Sequence, residues 1–257
     1  MVRRLLQRLP FGGGVSESLS RPKLFFDHRP ELVYAIGDVH GCHALLHRME
    51  QLIVDDAAPV SGEKWIILLG DYVDRGPASA AVLDHLLSAP PEGFQRICLA
   101  GNHEDLMLSY LDHPDPGHHW LRLGGRETLR SYGLDPDAGF GPSMKTLLES
   151  RISAERVEFL RSAPSLLAIP NFTFVHAGIR PGVPLPEQSD EDLLWLRPEL
   201  GATAPSEDFI VVHGHTPVRE VDVAPGRINI DTGAFASGML SGIKIDSSNK
   251  LSKLTVS

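Results

Sequence analysis

The chain has 257 residues, which is enough for one large α/β domain or two small ones. Its composition, with 42% hydrophobic and 22% charged residues, is typical of a soluble globular protein, and its net charge of −9 argues against broad nucleic-acid binding, which requires a basic surface. A phosphorylated substrate is compatible with this charge, because metal ions and a few arginines can reverse the sign of the potential locally.

Three features of the sequence bear on location and domain boundaries. Two cysteines, Cys42 and Cys98, are too few for a disulfide framework, which predicts a reducing compartment, the cytoplasm. No stretch approaches the length of a membrane span, and the first ten residues lack the apolar run of a signal peptide. Residues 1–30, with a glycine-rich joint after Phe11, are predicted to be a flexible segment ahead of a single domain at 31–257.

Apolar runs and helical spacing alternate along the first half of the chain. The predicted elements are strands at 32–36, 65–69 and 96–100 and helices at 43–56, 78–88 and from Glu104 onward. This alternation favours parallel strands joined by right-handed crossovers, with ligands bound at the carboxyl ends of the strands.

The second half of the chain has a different pattern. Residues 112–164 contain turns rich in Pro, Gly and His, and predicted helices near 125–132, 143–150 and 153–162, which indicate a helical cap. Later predicted strands at 172–175, 209–212, 227–230, 239–245 and 251–256 suggest a second, mostly antiparallel sheet packed on the first. The predicted fold class is therefore α/β, with two packed mixed sheets flanked by helices and a helical cap insertion.

Three glycine-bearing motifs follow the predicted parallel strands. They are Gly37-Asp38-Val39-His40-Gly41, Gly70-Asp71-Tyr72-Val73-Asp74-Arg75-Gly76 and Gly101-Asn102-His103-Glu104, and later strands add His176 and Val212-His213-Gly214-His215-Thr216. Carboxylate, imidazole and amide groups suit manganese, iron and zinc, and there are more of them here than one ion needs. A carboxylate can bridge two ions, and such a pair forms the usual clamp for phosphoryl displacement.

Each motif also has a structural explanation when it is taken alone. An aspartate at a strand end usually caps a helix or forms a turn, and an isolated histidine is more often a hydrogen-bonded structural group than a ligand. The joint occurrence of three strand-end motifs, spaced 33 and 31 residues apart, favours a common site instead. By contrast, His43 and His47, four residues apart on a predicted helix, are interpreted as a solvated or capping face because no third ligand is near them in sequence.

The pattern GDVHG, GDYVDRG, GNHE, VHAG and HGHT resembles that of the PPP-type Ser/Thr protein phosphatases within the calcineurin-like metallophosphoesterases, and the short bacterial and phage members in particular. The resemblance spans about residues 32–245. It implies two divalent metal ions, with manganese favoured and iron or zinc as alternatives. The implied metal ligands are Asp38, His40, Asp71, Asn102, His176 and His215, with Asp71 bridging the two ions.

The resemblance also implies roles for the side chains around the ions. His103 would protonate the leaving oxygen, and Asp74 would hold its imidazole. Arg75 and Arg197 would bind phosphate oxygens through their planar guanidinium groups. A metal-bridging hydroxide would attack phosphorus directly, so that no covalent phosphoenzyme forms.

Some residues depart from the family pattern. His213 stands where family members vary, so it is assigned to hydrogen bonding around the site, with a ligand role as the alternative. Asp231 is interpreted as structural, orienting a ligand histidine. Leu123 replaces the asparagine that is usual in the bacterial cap segment, which leaves a substrate role for that segment open.

The motifs do not decide the substrate, because the same metal core cleaves phosphomonoesters and phosphoanhydrides. The first choice is a protein Ser/Thr phosphatase, and the alternative is a symmetrical hydrolase of dinucleoside polyphosphates such as diadenosine tetraphosphate. A non-catalytic metal-binding module is disfavoured, because every ligand position is filled. An aromatic platform for adenine would favour the nucleotide, and Trp120 and Tyr132 are the candidates. The expected partner is a phosphoprotein or a small phosphorylated substrate, without nucleic acid or a membrane.

Overall fold

The computed structural model describes residues 20–137, 143–197, 206 and 208–257. The strands are β1 Lys23–Phe25, β2 Leu32–Ile36, β3 Lys64–Leu68, β4 Phe94–Cys98, β5 Leu166–Ile169, β6 Phe172–Val175, β7 Ile210–His213, β8 Asp222–Ala224, β9 Arg227–Asn229, β10 Leu240–Asp246 and β11 Leu251–Val256. The helices are α1 His43–Ala57, α2 Ser79–Leu87, α3 Asn102–Asp112, α4 Gly125–Ser131, α5 Ser143–Arg151, α6 Ala154–Ser162, α7 Asp190–Trp195 and α8 Ala234–Ser237, with 3-10 turns at His119–Arg122 and Leu185–Glu187.

These strands form two mixed sheets. The first has five strands in the order β11-β10-β2-β3-β4, in which β2, β3 and β4 are parallel and β10 and β11 are antiparallel. The second has six strands in the order β1-β5-β6-β7-β9-β8, with parallel pairing at β1–β5, β6–β7 and β7–β9. The predicted α/β class with two mixed sheets is confirmed.

The mostly antiparallel second sheet, in contrast, was a wrong prediction. Only two of its five pairings, β5–β6 and β8–β9, are antiparallel. The long connection from β6 to β7 carries α7 and returns the chain in the same direction, as a crossover does. In addition, the last two strands belong to the first sheet, where β10 pairs with β2.

Alternating side chains of β2 divide the core into two layers. Val33 and Ala35 belong to the apolar cluster between the two sheets, whereas Tyr34 and Ile36 belong to the cluster beneath the helices. The first cluster includes Trp65, Ile67, Leu167, Phe174 and Val212, and the second includes Leu46, Met49 and Ile53 of α1. Because both faces of β2 are covered, its sequence is an unbroken apolar run rather than an alternating one.

The amino-terminal boundary differs from the prediction. Residues 23–25 form β1, which pairs in parallel with β5, so the predicted flexible segment at 1–30 extended too far. A strand of three residues carries no usable periodicity, and its partner lies far away in sequence. Residues 1–19, and part of the predicted loop at 135–142, lie outside the described residues. None of the helices in the described ranges combines the length and the apolar character needed to cross a bilayer.

A buried charged cluster ties α1 and α2 to β4. The Glu50 carboxylate accepts hydrogen bonds from Nε and Nη2 of Arg96, at 2.9 and 3.1 Å, and lies 2.6 Å from Nε2 of His85. Burial acts to raise the pKa of Glu50, but the hydrogen bond to His85 and the charge of Arg96 outweigh it, so that the pKa lies below its ordinary value.

Replacing Glu50 by glutamine is expected to lower the free energy of unfolding by about 3 kcal/mol at neutral pH, because Arg96 stays buried without its partner charge. A carboxyl whose folded pKa is depressed stabilises the fold above its unfolded pKa of about 4.3, and this contribution is lost as the pH falls through the folded pKa. The difference in the free energy of unfolding between Glu50→Gln and wild type should therefore shrink below about pH 4. Urea unfolding from about pH 6 to about pH 3 measures it, with the exposed Glu158→Gln as control. A large difference that is independent of pH would contradict the assignment.

Candidate active site

The side chains predicted to bind metal follow parallel strands at their carboxyl ends. They are Asp38 and His40 after β2, Asp71 after β3, Asn102 after β4, His176 after β6 and His215 after β7. None of the six is more than 7% exposed. The strand-end motifs of both sheets therefore converge in the folded chain, as the sequence predicts.

Asp71 lies at the centre of this group. Its Oδ2 is 3.3 Å from Nε2 of His40, and its Oδ1 is 3.4 Å from Nε2 of His176. The candidate ligand atoms of His40, Asp71 and His103 lie within 4.8 Å of one another, and so do those of Asp71, His176 and His215. Asp71 is the member common to both groups, so its two oxygens face two separate clusters of imidazoles.

Backbone carbonyls set the tautomers of two of these imidazoles. Nδ1 of His40 lies 2.8 Å from the carbonyl oxygen of Val73, and Nδ1 of His176 lies 3.0 Å from that of Leu69. An imidazole whose Nδ1–H donates to a carbonyl presents a lone pair at Nε2. The amide oxygen Oδ1 of Asn102 lies 2.9 Å from Nε2 of His176. Nε2 of His176 and Oδ1 of Asn102 thus face each other, each with a lone pair and with no proton between them. A bound cation would accept both lone pairs.

Asp38 adds a second buried carboxylate. Its two oxygens accept the backbone N–H of His215, at 3.1 and 3.3 Å. Burial raises the pKa of Asp38, and the charges of Asp231 and Asp71 raise it further. Gly214 packs so closely that a Cβ at this position would collide with Oδ1 of Asp38. Buried carboxylates whose charges act on one another are an arrangement that bound cations stabilise.

Five residues of the motifs have a left-handed backbone. Their φ angles are 42° at His40, 52° at Asp71, 74° at Asp74, 66° at Arg75 and 65° at His215. In the described part of the chain the other non-glycine residues with positive φ are two asparagines, and Asn, Asp and His all adopt this conformation more often than other non-glycine residues. Each left-handed non-glycine residue costs on the order of 1 kcal/mol or more. The strain is thus concentrated in the loops that aim the polar side chains.

His103 and Asp74 form a buried pair beside Asp71. Nδ1 of His103 lies 2.6 Å from Oδ2 of Asp74, and its Nε2 lies 3.9 Å from Oδ2 of Asp71. Burial acts to lower the pKa of His103, but the charge of Asp71 and the hydrogen bond to Asp74 outweigh it, so that the pKa is raised. The neighbouring carboxylates of Asp71 and Asp74 therefore favour the protonated form of the His103 imidazole.

The guanidinium of Arg75 bridges two histidines of this group. Nη1 lies 3.0 Å from Nε2 of His40, and Nη2 lies 3.0 Å from Nε2 of His103. Arg75 is half-buried, and its guanidinium carbon lies 4.8 Å from the centre of the Phe235 ring. A planar donor held in this way is suited to binding an oxyanion that enters between the two histidines.

Comparison with known proteins assigns the chain to a family. Residues 32–234 match the model of the calcineurin-like phosphoesterases. The chain belongs to this family. The predicted membership of the calcineurin-like metallophosphoesterase superfamily is thereby confirmed. The chemistry of this superfamily is metal-dependent cleavage of phosphoesters.

Two curated relatives of this phosphoesterase are bis(5′-nucleosyl)-tetraphosphatases. The asymmetrical enzyme PrpE of Anoxybacillus flavithermus is 25% identical over 81% of this chain and 88% of its own length. The symmetrical enzyme of Methylobacillus flagellatus is 29% identical over 72% of this chain and 57% of its own length. A crystal structure provisionally named as a diadenosine tetraphosphatase superposes with a TM-score of 0.64 and 19% identity, covering 92% of this chain and 98% of that one, which shows a shared fold.

Glu104 is a residue of the phosphoesterase site to which the sequence reasoning gave no role. Its buried carboxylate accepts the backbone N–H groups of Asp71 and Tyr72, each at 2.8 Å, of Gly101 at 2.9 Å and of Val73 at 3.3 Å. It thereby joins the loop that carries Asp71 to the loop before α3. Its carboxylate accepts the N–H of Gly101 at the start of α3, which is one half of a capping box; glycine has no side chain to form the other half, so the sequence signal for this motif was incomplete.

Replacing Glu104 by glutamine is expected to lower the free energy of unfolding by about 1–3 kcal/mol, because a buried amide N–H₂ would face backbone donors. Chemical denaturation in the presence of a chelator isolates this effect from any metal. Glu158→Gln, on the exposed surface of α6, is the matched control and should be neutral. Equal stability of the Glu104 variant and wild type would argue against the anchoring role.

Asp74 is held by two residues from the segment after α3. Nε1–H of Trp120 donates to Oδ2 of Asp74 at 2.7 Å, and Oγ1–H of Thr128 donates to its Oδ1 at 2.7 Å. Trp120 is fully buried, and Tyr132 is only 9% exposed. These contacts correct the prediction that Trp120 and Tyr132 form an adenine platform, since neither ring offers a free face. The cap segment instead fixes the carboxylate that orients His103.

Arg197, the second predicted phosphate ligand, lies just beyond α7 and is exposed. It lies on the His215 side of the site, where its charge contributes to lowering the pKa of that imidazole; burial is the larger cause, and the pKa falls to about 3. Unlike Arg75, it makes no side-chain hydrogen bond to another described residue. Its guanidinium is therefore near the second cluster without being fixed in it.

The remaining predicted polar residues take other places. His213 is buried and lies 3.1 Å from the Gly214 carbonyl, outside both groups of converging ligand atoms. Asp231 accepts the backbone N–H of Gly233 at 2.8 Å, so it supports the turn before α8 rather than a ligand histidine. His43 and His47 lie beside His85 of α2, with ring centres 5.5 and 6.2 Å from it, and none of the three belongs to a converging ligand group of the described residues.

Proposed function

We propose that this phosphoesterase hydrolyses bis(5′-nucleosyl) tetraphosphates such as diadenosine tetraphosphate. The observation that carries the proposal is the match to the tetraphosphatase of Anoxybacillus flavithermus, which extends over 81% of this chain and 88% of that protein. The dinucleotide therefore replaces the phosphoprotein, the first choice from the motifs, as the preferred substrate. The change of substrate leaves the roles of the metal and phosphate ligands intact, because the same core serves both reactions.

Two divalent ions would be held by the two ligand clusters that share Asp71. The first ion is assigned to Asp38, His40 and Asp71, and the second to Asp71, Asn102, His176 and His215. The fixed lone pairs of His40 and His176, and the buried carboxylates beside them, fit cations with mixed oxygen and nitrogen coordination. Manganese is the preferred ion, with iron or zinc as alternatives. When bound, the ions activate water and neutralise phosphate charge.

The side chains around the clusters would position the phosphate chain. The Arg75 guanidinium, 3.0 Å from His40 and from His103, would donate to oxygens of the phosphoryl group under attack. Arg197, on the His215 side, would bind a neighbouring phosphate of the same chain. His103, held in place by Asp74, would donate a hydrogen bond to the leaving phosphate oxygen, and it would give up its proton only to a strongly basic leaving group.

The proposal is tested by initial rates in Mn²⁺ on three substrates at equal concentration: diadenosine tetraphosphate, a phosphoserine peptide and a phosphotyrosine peptide. We expect the dinucleotide to have the highest kcat/KM. Chromatography of the products separates cleavage to AMP and ATP from cleavage to two ADP, and either pair supports the proposal. A clear preference for one of the peptides would overturn it and restore the phosphoprotein substrate.

A further inference from the structure

Two exposed aromatic side chains flank the site. Among the described residues, Phe235 is 41% exposed and Trp195 is 38% exposed, although most large apolar side chains of the chain are buried. An exposed aromatic ring beside a polar, strained site is a feature of ligand-binding surfaces, because it offers a flat apolar face next to charged groups.

Phe235 lies beside the first ligand cluster. It belongs to the short α8, which is bounded by Gly233 and Gly238, both with a left-handed backbone. Its ring centre lies 5.4 Å from that of His40 at an angle of 85°, and the Arg75 guanidinium lies 4.8 Å from the ring centre. The ring therefore stands next to both a candidate metal ligand and the candidate phosphate-binding arginine.

Trp195 lies beside the second cluster. It is the last residue of α7, two residues before Arg197. Its ring centre lies 6.4 Å from that of His215 at an angle of 76°. Each cluster thus has one exposed aromatic ring and one arginine at its border, and Asp71 joins the two halves.

We propose that Phe235 and Trp195 are the stacking surfaces that receive the two bases of the dinucleoside polyphosphate, one on each side of the phosphate chain. This inference rests on the proposed function and names its specificity-determining residues. A nucleotide presents a planar base and an anionic phosphate, and an aromatic ring next to an arginine matches this pair. Stacking tolerates any base, because every base has a π face. A phosphoserine peptide has no such ring on either side of its phosphate.

The test compares alanine variants of the two aromatics on substrates with and without bases. For Phe235→Ala and Trp195→Ala we expect kcat/KM on diadenosine tetraphosphate to fall roughly 5- to 150-fold each, mainly through KM. The loss on diadenosine tetraphosphate should exceed any loss on inorganic tripolyphosphate, which has no base, by at least about fivefold. Trp195→Phe, which keeps a π face, should retain most of the activity, whereas Phe235→Leu, which keeps only bulk, should not.

Fluorescence gives a readout independent of turnover. The chain has three tryptophans, and Trp65 and Trp120 are at most 1% exposed, so the quenching of emission by added ADP should report Trp195. We expect this quenching to disappear in Trp195→Phe and to persist in Phe235→Ala. If quenching persists in both variants, the base binds elsewhere and the assignment of Trp195 is overturned.

The outcomes separate this inference from the proposed function. If wild type cleaves a phosphopeptide but not diadenosine tetraphosphate, the proposed function fails and the base sites fail with it. If wild type cleaves the dinucleotide and both alanine variants match it, only the base sites fail. Equal losses on tripolyphosphate and the dinucleotide would also overturn the inference, because Phe235 would then act by holding Arg75.

Discussion

Asp71→Asn is expected to reduce turnover in Mn²⁺ by about 10³-fold or more, which corresponds to roughly 4 kcal/mol of lost transition-state stabilisation. Asp71 is the side chain common to both candidate ligand groups, with one oxygen near His40 and the other near His176. An amide carries no charge and would turn an N–H₂ group toward one of these lone pairs. We therefore expect bound metal to fall from two ions per chain to one or fewer.

The control for this variant lies close by. Asp105 is on α3, two residues after His103, but its side chain is 52% exposed and pairs with Arg21 at the surface. Asp105→Asn should keep full activity and full metal content. Metal analysis after gel filtration and initial rates measured on the same samples make the comparison. An Asp71→Asn protein with both full activity and two ions would contradict the assignment of Asp71.

His103→Asn is expected to have an effect that depends on the leaving group. On a phosphoserine peptide, whose leaving group is a strongly basic alkoxide, loss of the proton donor should cost roughly 10²–10⁴-fold in kcat. On diadenosine tetraphosphate the leaving group is a nucleotide phosphate with a pKa of about 6, which departs without a proton. On this substrate kcat should fall only about tenfold, because the variant loses the charge of His103 and its contact with the leaving oxygen but no required proton transfer.

This prediction is tested by kcat on both substrates for wild type and His103→Asn. His113→Asn, at the exposed end of α3, is the matched control and should change neither rate. If the two substrates lose the same large factor, His103 does not act by protonating the leaving group. A shared loss would instead point to His103 as a group that holds Asp71 in place.

Residues that directly follow a recognisable strand were the ones whose position in the site could be predicted. Asp38 and His40 follow a buried apolar run, and in a parallel sheet such runs end at a common edge, so periodicity alone brought the motifs together. The pairing of His103 with Asp74 was inferred from the family resemblance, and Nδ1 of His103 lies 2.6 Å from Oδ2 of Asp74.

The residues that were missed or misassigned depend on contacts between distant parts of the chain. Trp120 was predicted to be a ligand platform, but its indole N–H donates to Asp74 and the ring is buried. The hydrophobic periodicity of the sequence cannot reveal this hydrogen bond, because its partners are 46 residues apart. Likewise Phe235 gave no signal in the sequence, because its position depends on how the turn before β10 returns to His40. The left-handed backbone of the motif residues was equally hidden, since none of them is glycine.

Anomalous X-ray scattering from crystals grown with Mn²⁺ would locate the two proposed metal ions directly. We expect two manganese peaks, one contacted by Asp38, His40 and Asp71 and the other by Asp71 together with Asn102, His176 and His215. A single peak, or peaks away from Asp71, would contradict the assignment of two ions to the clusters that this carboxylate joins.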